Sequence, residues 1–254
     1  MSETNPNRQL TKADVQVEQL QQNDFERFFD IGIACFVKQL NDGFWITMHP
    51  GYDTEAGRKA AIARLVARFN SVTTNHAGQP NTIFLKATVP SRTQPGAREI
   101  AGVAIWDQAS TVEGHGNIPI PDLAEAMDLN ALYPEQEAEQ RYARQLDRSF
   151  RKRRIEVVNE ASSANPPAVF VLDLCEVDPA FQRLGIATKL VEWGLAEARA
   201  RGGLEAVLEA STMGRHVYRK LGFYQDGECE YIVDEEFQDR SRPSNIFMRT
   251  GRLV

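Results

Sequence analysis

The residues with the most chemical content lie between Val169 and Thr188. An apolar run, Val169-Phe-Val-Leu-Asp-Leu-Cys-Glu-Val177, is followed by Asp178-Pro179 and then by Gln182-Arg-Leu-Gly-Ile-Ala-Thr188. The run reads as a buried strand, Asp178-Pro179 as a turn, and the remainder as the first turn of a helix. A helix start leaves backbone N–H groups unpaired and carries the positive pole of the helix dipole, so this turn suits a diphosphate. It is neither a P-loop nor a dinucleotide fingerprint, because Gly-Lys-Ser/Thr and G-x-G-x-x-G are both absent. Without a Cβ, Gly185 would let phosphate approach the main chain, and Arg183 and Thr188 could add side-chain contacts. Asp173 and Glu176 are the acids on the strand. Their odd spacing predicts opposite faces, with Asp173 beside Val171, Cys175 and Val177.

A second cluster lies downstream. Leu204–Ser211 reads as a strand, and a short helix from about Met213 closes on Val217-Tyr-Arg-Lys-Leu-Gly-Phe223. Met213, Val217 and Leu221 share one helix face. Tyr218 stands at its margin, where the ring can pack while the hydroxyl reaches a cleft.

Other elements must position these residues. Val15–Leu20 alternates as a half-buried strand, and Asn23 or Asp24 can cap a helix from Phe25 to about Val37. The Gly43 and Pro50-Gly51 region reads as loop, with a second helix over Thr54–Asn70. Ile83–Val89 and Ile100–Trp106 read as an antiparallel hairpin around a long turn. Residues 110–133 are irregular. A charged helix then begins with Pro134 in its first turn and runs to about Val158, and a last strand covers Asn245–Thr250.

The chain has 254 residues, long enough for a substantial core, and a net charge of −6 that argues against nucleic acid. The basic run Arg151-Lys-Arg-Arg154 reads as the solvated end of a helix. Cys35, Cys175 and Cys229 lack CxxC spacing and read as reduced thiols. His49, His76, His115 and His216 are scattered, so no metal is expected; His115 could touch substrate, and His216 reads as a surface or cap residue. Phe44, Trp45, Trp106 and Tyr133 either line an apolar pocket or pack the core. The polar start of the chain lacks a signal-peptide core, and no apolar run approaches membrane-spanning length. The expectation is a cytoplasmic protein with a disordered tail over 1–10 and one domain over 11–254.

Gln182-x-x-Gly185-x-Ala187 after a buried strand resembles the acetyl-CoA-binding motif of the Gcn5-related N-acetyltransferase (GNAT) superfamily. Tyr218-x-x-x-Gly222-Phe223 matches the family's next strand and helix at the right distance. The resemblance covers residues 169–226 closely, and the rest of the chain by its order of elements. It implies an α/β (α+β) fold: a mixed, twisted sheet of about six to seven strands, helices on both faces, and a central strand pair splayed around the cofactor. Residues 110–165 then form an insertion between the third and fourth strands, walling the acceptor side.

The implied activity is direct acetyl transfer from acetyl-CoA to a primary amine of a small molecule, carried out by a monomer or homodimer. A protein lysine or N-terminus as acceptor, or a non-catalytic acyl-CoA-binding module, stay open as alternatives. By the resemblance, Gln182, Arg183, Leu184, Gly185, Ile186, Ala187 and Thr188 hold the cofactor, with Cys175 and Ser211 beside it. The Val177 N–H polarises the thioester, and Tyr218 protonates the leaving sulfur. Asp173 matches the position of a general base, whereas Glu176 stands where a small residue is usual. For either acid, an ion pair with an arginine is the competing assignment.

Overall fold

A computed structural model describes residues 9–253. The tail expected over residues 1–10 falls outside the described residues up to position 8, and Leu10 already packs against the main core. The strands are β1 (Gln16–Gln19), β2 (Thr82–Pro90), β3 (Arg98–Ala109), β4 (Val169–Val177), β5 (Glu205–Ala210), β6 (Tyr224–Glu228) and β7 (Ile246–Arg249). The helices are α1 (Phe25–Gly32), α2 (Gly43–Met48), α3 (Glu55–Asn70), α4 (Leu123–Ala126), α5 (Leu129–Leu132), α6 (Glu137–Glu160), α7 (Ile186–Ala200) and α8 (Arg215–Lys220). One seven-stranded sheet has the order β1-β2-β3-β4-β5-β7-β6, and only β4 and β5 pair in parallel.

Helices cover both faces. On one, α7 sets Leu190, Val191 and Leu195 against Ala104, Trp106, Phe170 and Leu172. On the other, α1 sets Phe25, Phe28 and Ile31 against Phe84, Val103 and Ile105, while α6 sets Val157 and Val158 against Val169, Val171, Val207 and Phe247. Alternate residues of β3 and β4 therefore serve opposite layers, as the two-residue period of a strand requires.

Several local expectations change. Gly43 begins a helix instead of a loop, because the Asp42 carboxylate accepts from the Trp45 N–H at 2.9 Å. Its missing side chain serves packing, since a Cβ there would stand 2.1 Å from the Ser241 carbonyl oxygen. The first helix runs on through a π-helical segment, Ile33–Gln39. Pro134 lies outside α6, which starts only after Glu135 has turned the chain at φ +56°. The basic run is not a solvated end: Arg154 is buried, with carboxylate partners on two strands.

Two features of the sheet shape the site. Strands β4 and β5 pair only at Val169–Glu205, Phe170–Ala206 and Val171–Val207, and β4 continues to Val177 beyond the last pair. Against β3, moreover, Ile105 pairs with Leu174 and Trp106 with Leu172, so Asp173 is the extra residue of a bulge. The bulge reverses the side-chain parity beyond it. Cys175 and Val177 join the α7 layer, whereas Asp173 reaches Arg68 of α3 and Glu176 lies beside Gly32 of α1. The two acids thus share a face, contrary to the expectation from their spacing.

Glycines seat α7. A Cβ on Gly194 would fall 1.9 Å from the indole of Trp106, and one on Gly102 would fall 2.7 Å from Ile186. The helix rests directly on the sheet, and its first turn is fixed beside the end of β4. Gly194→Ala is expected to lower the unfolding free energy by roughly 1–3 kcal/mol through overpacking of a fully buried ring. An unchanged denaturant midpoint would show that α7 is not so closely seated.

Candidate active site

A cavity of about 1870 Å³ opens where β4 and β5 part. Every residue singled out from the sequence for catalysis or cofactor binding lines it except Leu184, whose side chain packs against the main core. Its floor at the start of α7 is polar in an unusual way. Among the described residues, the backbone N–H groups of 183–188 have no protein acceptor; the first amide bond of the helix runs from Lys189 to the Gly185 carbonyl. Arg183 and Gly185 both adopt left-handed φ, at +67° and +75°. Gly185 is needed for that conformation, and the space a Cβ would enter is taken by the Lys12 side chain, with carbons 3.1 Å away. The unpartnered amides, at the positive end of a 15-residue helix, are a fitting cradle for a diphosphate.

The end of β4 faces this cradle. Asp178 N–H donates to the Ala101 carbonyl, which makes Val177 and Gly102 a non-hydrogen-bonded pair. The N–H and C=O of Val177 therefore point away from β3, into the gap that β5 leaves. The carbonyl accepts from the Cys35 thiol at 3.0 Å and from the Gln182 amide at 3.5 Å. Across the gap, Tyr218 is buried, with the Cys175 thiol as the neighbour that its hydroxyl interacts with. Burial, then the neighbouring Cys175, holds the phenol well above its usual range, so it stays protonated. Its ring lies on the backbone of Gly214, where a Cβ would stand 2.5 Å from the ring edge.

The two acids are in different electrostatic states. Burial would raise the Asp173 carboxyl, but Arg68 at 2.8 Å, Arg154 at 2.6 Å and Arg151 at 3.6 Å outweigh it and hold the group well below the carboxylate range. Asp173 is in an ion pair, the competing assignment for it. Glu176 is 2 % exposed, and its Oε2 has no hydrogen-bond partner among the described residues. Burial pushes it up to about 8.

Residues that the sequence did not single out complete the walls. Arg154 donates from Nη1 to Asp173 on β4 and from Nε to Glu209 on β5, the latter at 3.0 Å, with Nη2 on the second Glu209 oxygen. Nothing in the run 151–154 distinguishes it except its place on the inward face of α6. Of the four aromatic candidates, Phe44 and Trp45 line the cavity, whereas Trp106 is core and Tyr133 is buried with its hydroxyl on the Thr47 carbonyl. His49 also lines the cavity, stacked on Trp45 at 4.1 Å between centroids, and burial lowers it to about 4. His115 packs on His76, and exposed His216 sits at the rim. Among the described residues, no group of three or more His, Cys, Asp or Glu could hold a metal, and no helix is long and apolar enough to cross a membrane.

Residues 134–223 match the model of the acetyltransferase (GNAT) family. No curated protein matches the sequence. Among solved structures, a histone acetyltransferase HPA2-related acetyltransferase from Corynebacterium glutamicum superposes with a TM-score of 0.52 at 18% identity, over 95% of this chain and 98% of its own. The polyamine N-acetyltransferase of Drosophila melanogaster that forms N-acetylagmatine gives 0.55 at 13% identity, over 94% and 100%. Arylalkylamine N-acetyltransferase 2 of Aedes aegypti gives 0.54 at 17% identity, over 93% and 98%. At such identities these likenesses are of fold. The family match is confined to residues 134–223, and it is this segment that is similar to the GNAT acetyltransferases.

The state of Glu176 has a consequence for stability. Its folded pKa, about 8, lies above the ordinary 4.5, so the folded protein binds the extra proton between these values and loses stability as pH rises through that window. Glu176→Gln removes the titration. Its melting temperature relative to wild type is expected to climb between about pH 5 and about pH 9, by roughly 2–4 °C for each kcal/mol of burial penalty removed. A difference independent of pH would mean that Glu176 is solvated or paired.

Proposed function

We propose that this protein is an acetyl-CoA-dependent N-acetyltransferase that transfers the acetyl group directly to the primary amine of a small molecule. The carrying observation is that the unpartnered amides of 183–188 and the unpaired Glu176 carboxyl open onto one cavity. Bound there, acetyl-CoA would supply an activated acetyl thioester. The amides of 183–188 bind the diphosphate, with Arg183 and Thr188 as side-chain donors. The Val177 N–H, aimed into the strand gap, is placed to donate to the thioester oxygen as it gains charge; such a donor contributes roughly 2.7–4 kcal/mol in other acyl-transfer sites. Tyr218 donates its proton toward the departing sulfur.

Glu176 fits the base better than Asp173. An alkylammonium titrates near 10, so a carboxylate held at about 8 takes its proton with a far smaller uphill step than an ordinary carboxylate would. Asp173, held down by arginines, is the weaker base, and His49, at about 4, is weaker than Glu176 as well. A small acceptor is supported by the walls that α4, α6 and residues 117–120 build around the cavity. The polyamine and arylalkylamine enzymes of like fold lend the same support.

Coenzyme A release measured over a panel of primary amines tests this reading. Turnover should rise with pH through about 8 as Glu176 ionises. Glu176→Gln should remove that limb with a loss on the order of 10²-fold or more, and Tyr218→Phe should lower turnover with cofactor affinity nearly unchanged. Acetyl-CoA binding without turnover of any amine would make the protein an acyl-CoA-binding module instead.

A further inference from the structure

We propose that the acceptor carries a carboxylate at the end opposite its amine, and that Arg64 receives it; this rests on the acetyltransferase reading above. Helices α3 and α6 both contribute side chains to the wall of the cavity. From α3, Arg64 and Arg68 face it one turn apart, and from α6, Arg151 and Arg154 do so. Three of these guanidiniums have carboxylate partners: Arg68 on Asp173, Arg151 on Asp147, and Arg154 on Asp173 and Glu209. Arg64 has none among the described residues. Its hydrogen bond is from Nη2 to the Met48 carbonyl at 3.3 Å, and burial lowers its affinity for its proton. A half-buried cation that has lost water without gaining an anion is most simply completed by a ligand.

The cavity also has the reverse vacancy, because Glu176 lacks a cation. Trp45 and His49 mark the path between the two. The Trp45 ring edge and the Glu176 carboxylate meet at Gly32, His49 stacks on Trp45, and Arg64 bonds to the residue before His49. His49 is neutral at physiological pH and so does not compete with Arg64 for the anion. An ammonium on Glu176 and an anion on Arg64 are therefore separated by the breadth of these rings. An α-amino acid is too short; an ω-amino acid with an extended or aromatic spacer fits. The single uncompensated charge and planar fork of Arg64 suit a carboxylate, not a dianionic phosphate.

Three amines of equal chain length provide the test: aminohexanoate, hexylamine and diaminohexane, with glycine as the short amino acid. Wild type should favour aminohexanoate in kcat/KM by about tenfold or more over the other two, mainly through KM. Arg64→Gln should raise KM for aminohexanoate about tenfold more than KM for hexylamine, and Arg64→Lys should restore part of the difference. Hexanoate, which lacks the amine, should compete in wild type and lose potency in Arg64→Gln. Equal use of the three, or a preference for diaminohexane or glycine, overturns the assignment while leaving the acetyltransferase reading intact. No turnover of any of them with acetyl-CoA bound overturns both.

Discussion

The site depends on one buried guanidinium. Once β4 and β5 part beyond Val171 and Val207, nothing in the sheet ties the two strands together, and their facing edges lose their ladder partners. Arg154 spans the opening: it enters from α6 and bonds Asp173 on one strand and Glu209 on the other. A buried cluster of this kind is held by its completeness, because removing one member strands a charge at a cost of about 3–5 kcal/mol. The gap proposed to receive a thioester is thus a fixed separation with a side chain as its strut, not merely a failure of strand pairing.

The same strut sorts the acids. The bulge at Asp173 brings both strand carboxyls to one face, where either could meet an amine. Arg154 and Arg68 commit Asp173 to structure and leave Glu176 as the acid without a partner. On the opposite layer, the contact of Gly194 with Trp106 and of Gly102 with Ile186 sets the first turn of α7 against the end of β4. The proposed cradle, polarising amide and base therefore rest on separate contacts that converge on residues 176–188.

Much of this was legible in the sequence because it rests on local rules. The strand, turn and helix of 169–188, the helix that follows Thr54 and the hairpin of β2 and β3 follow from periodicity and turn chemistry. The bulge was not legible: Leu172-Asp173-Leu174 carries no glycine or proline, and a parity argument assumes an unbroken ladder. Arg154 looked like its neighbours, since a charged run gives no sign of which member a helix turns inward. Gly43 read as a breaker because its partner, the Ser241 carbonyl, lies nearly two hundred residues away in the chain. Strand β6 is mostly exposed and polar, so it lacked the alternation that marks a strand.

Hydrogen exchange of the backbone amides with and without coenzyme A tests the central claim most directly. If the strut-held gap and the α7 turn form the cofactor site, the ligand should slow exchange at Val177 and across 183–188, where the amides have no acceptor of their own. Saturating binding with exchange unchanged at these positions, or with protection confined to other parts of the chain, would contradict the account.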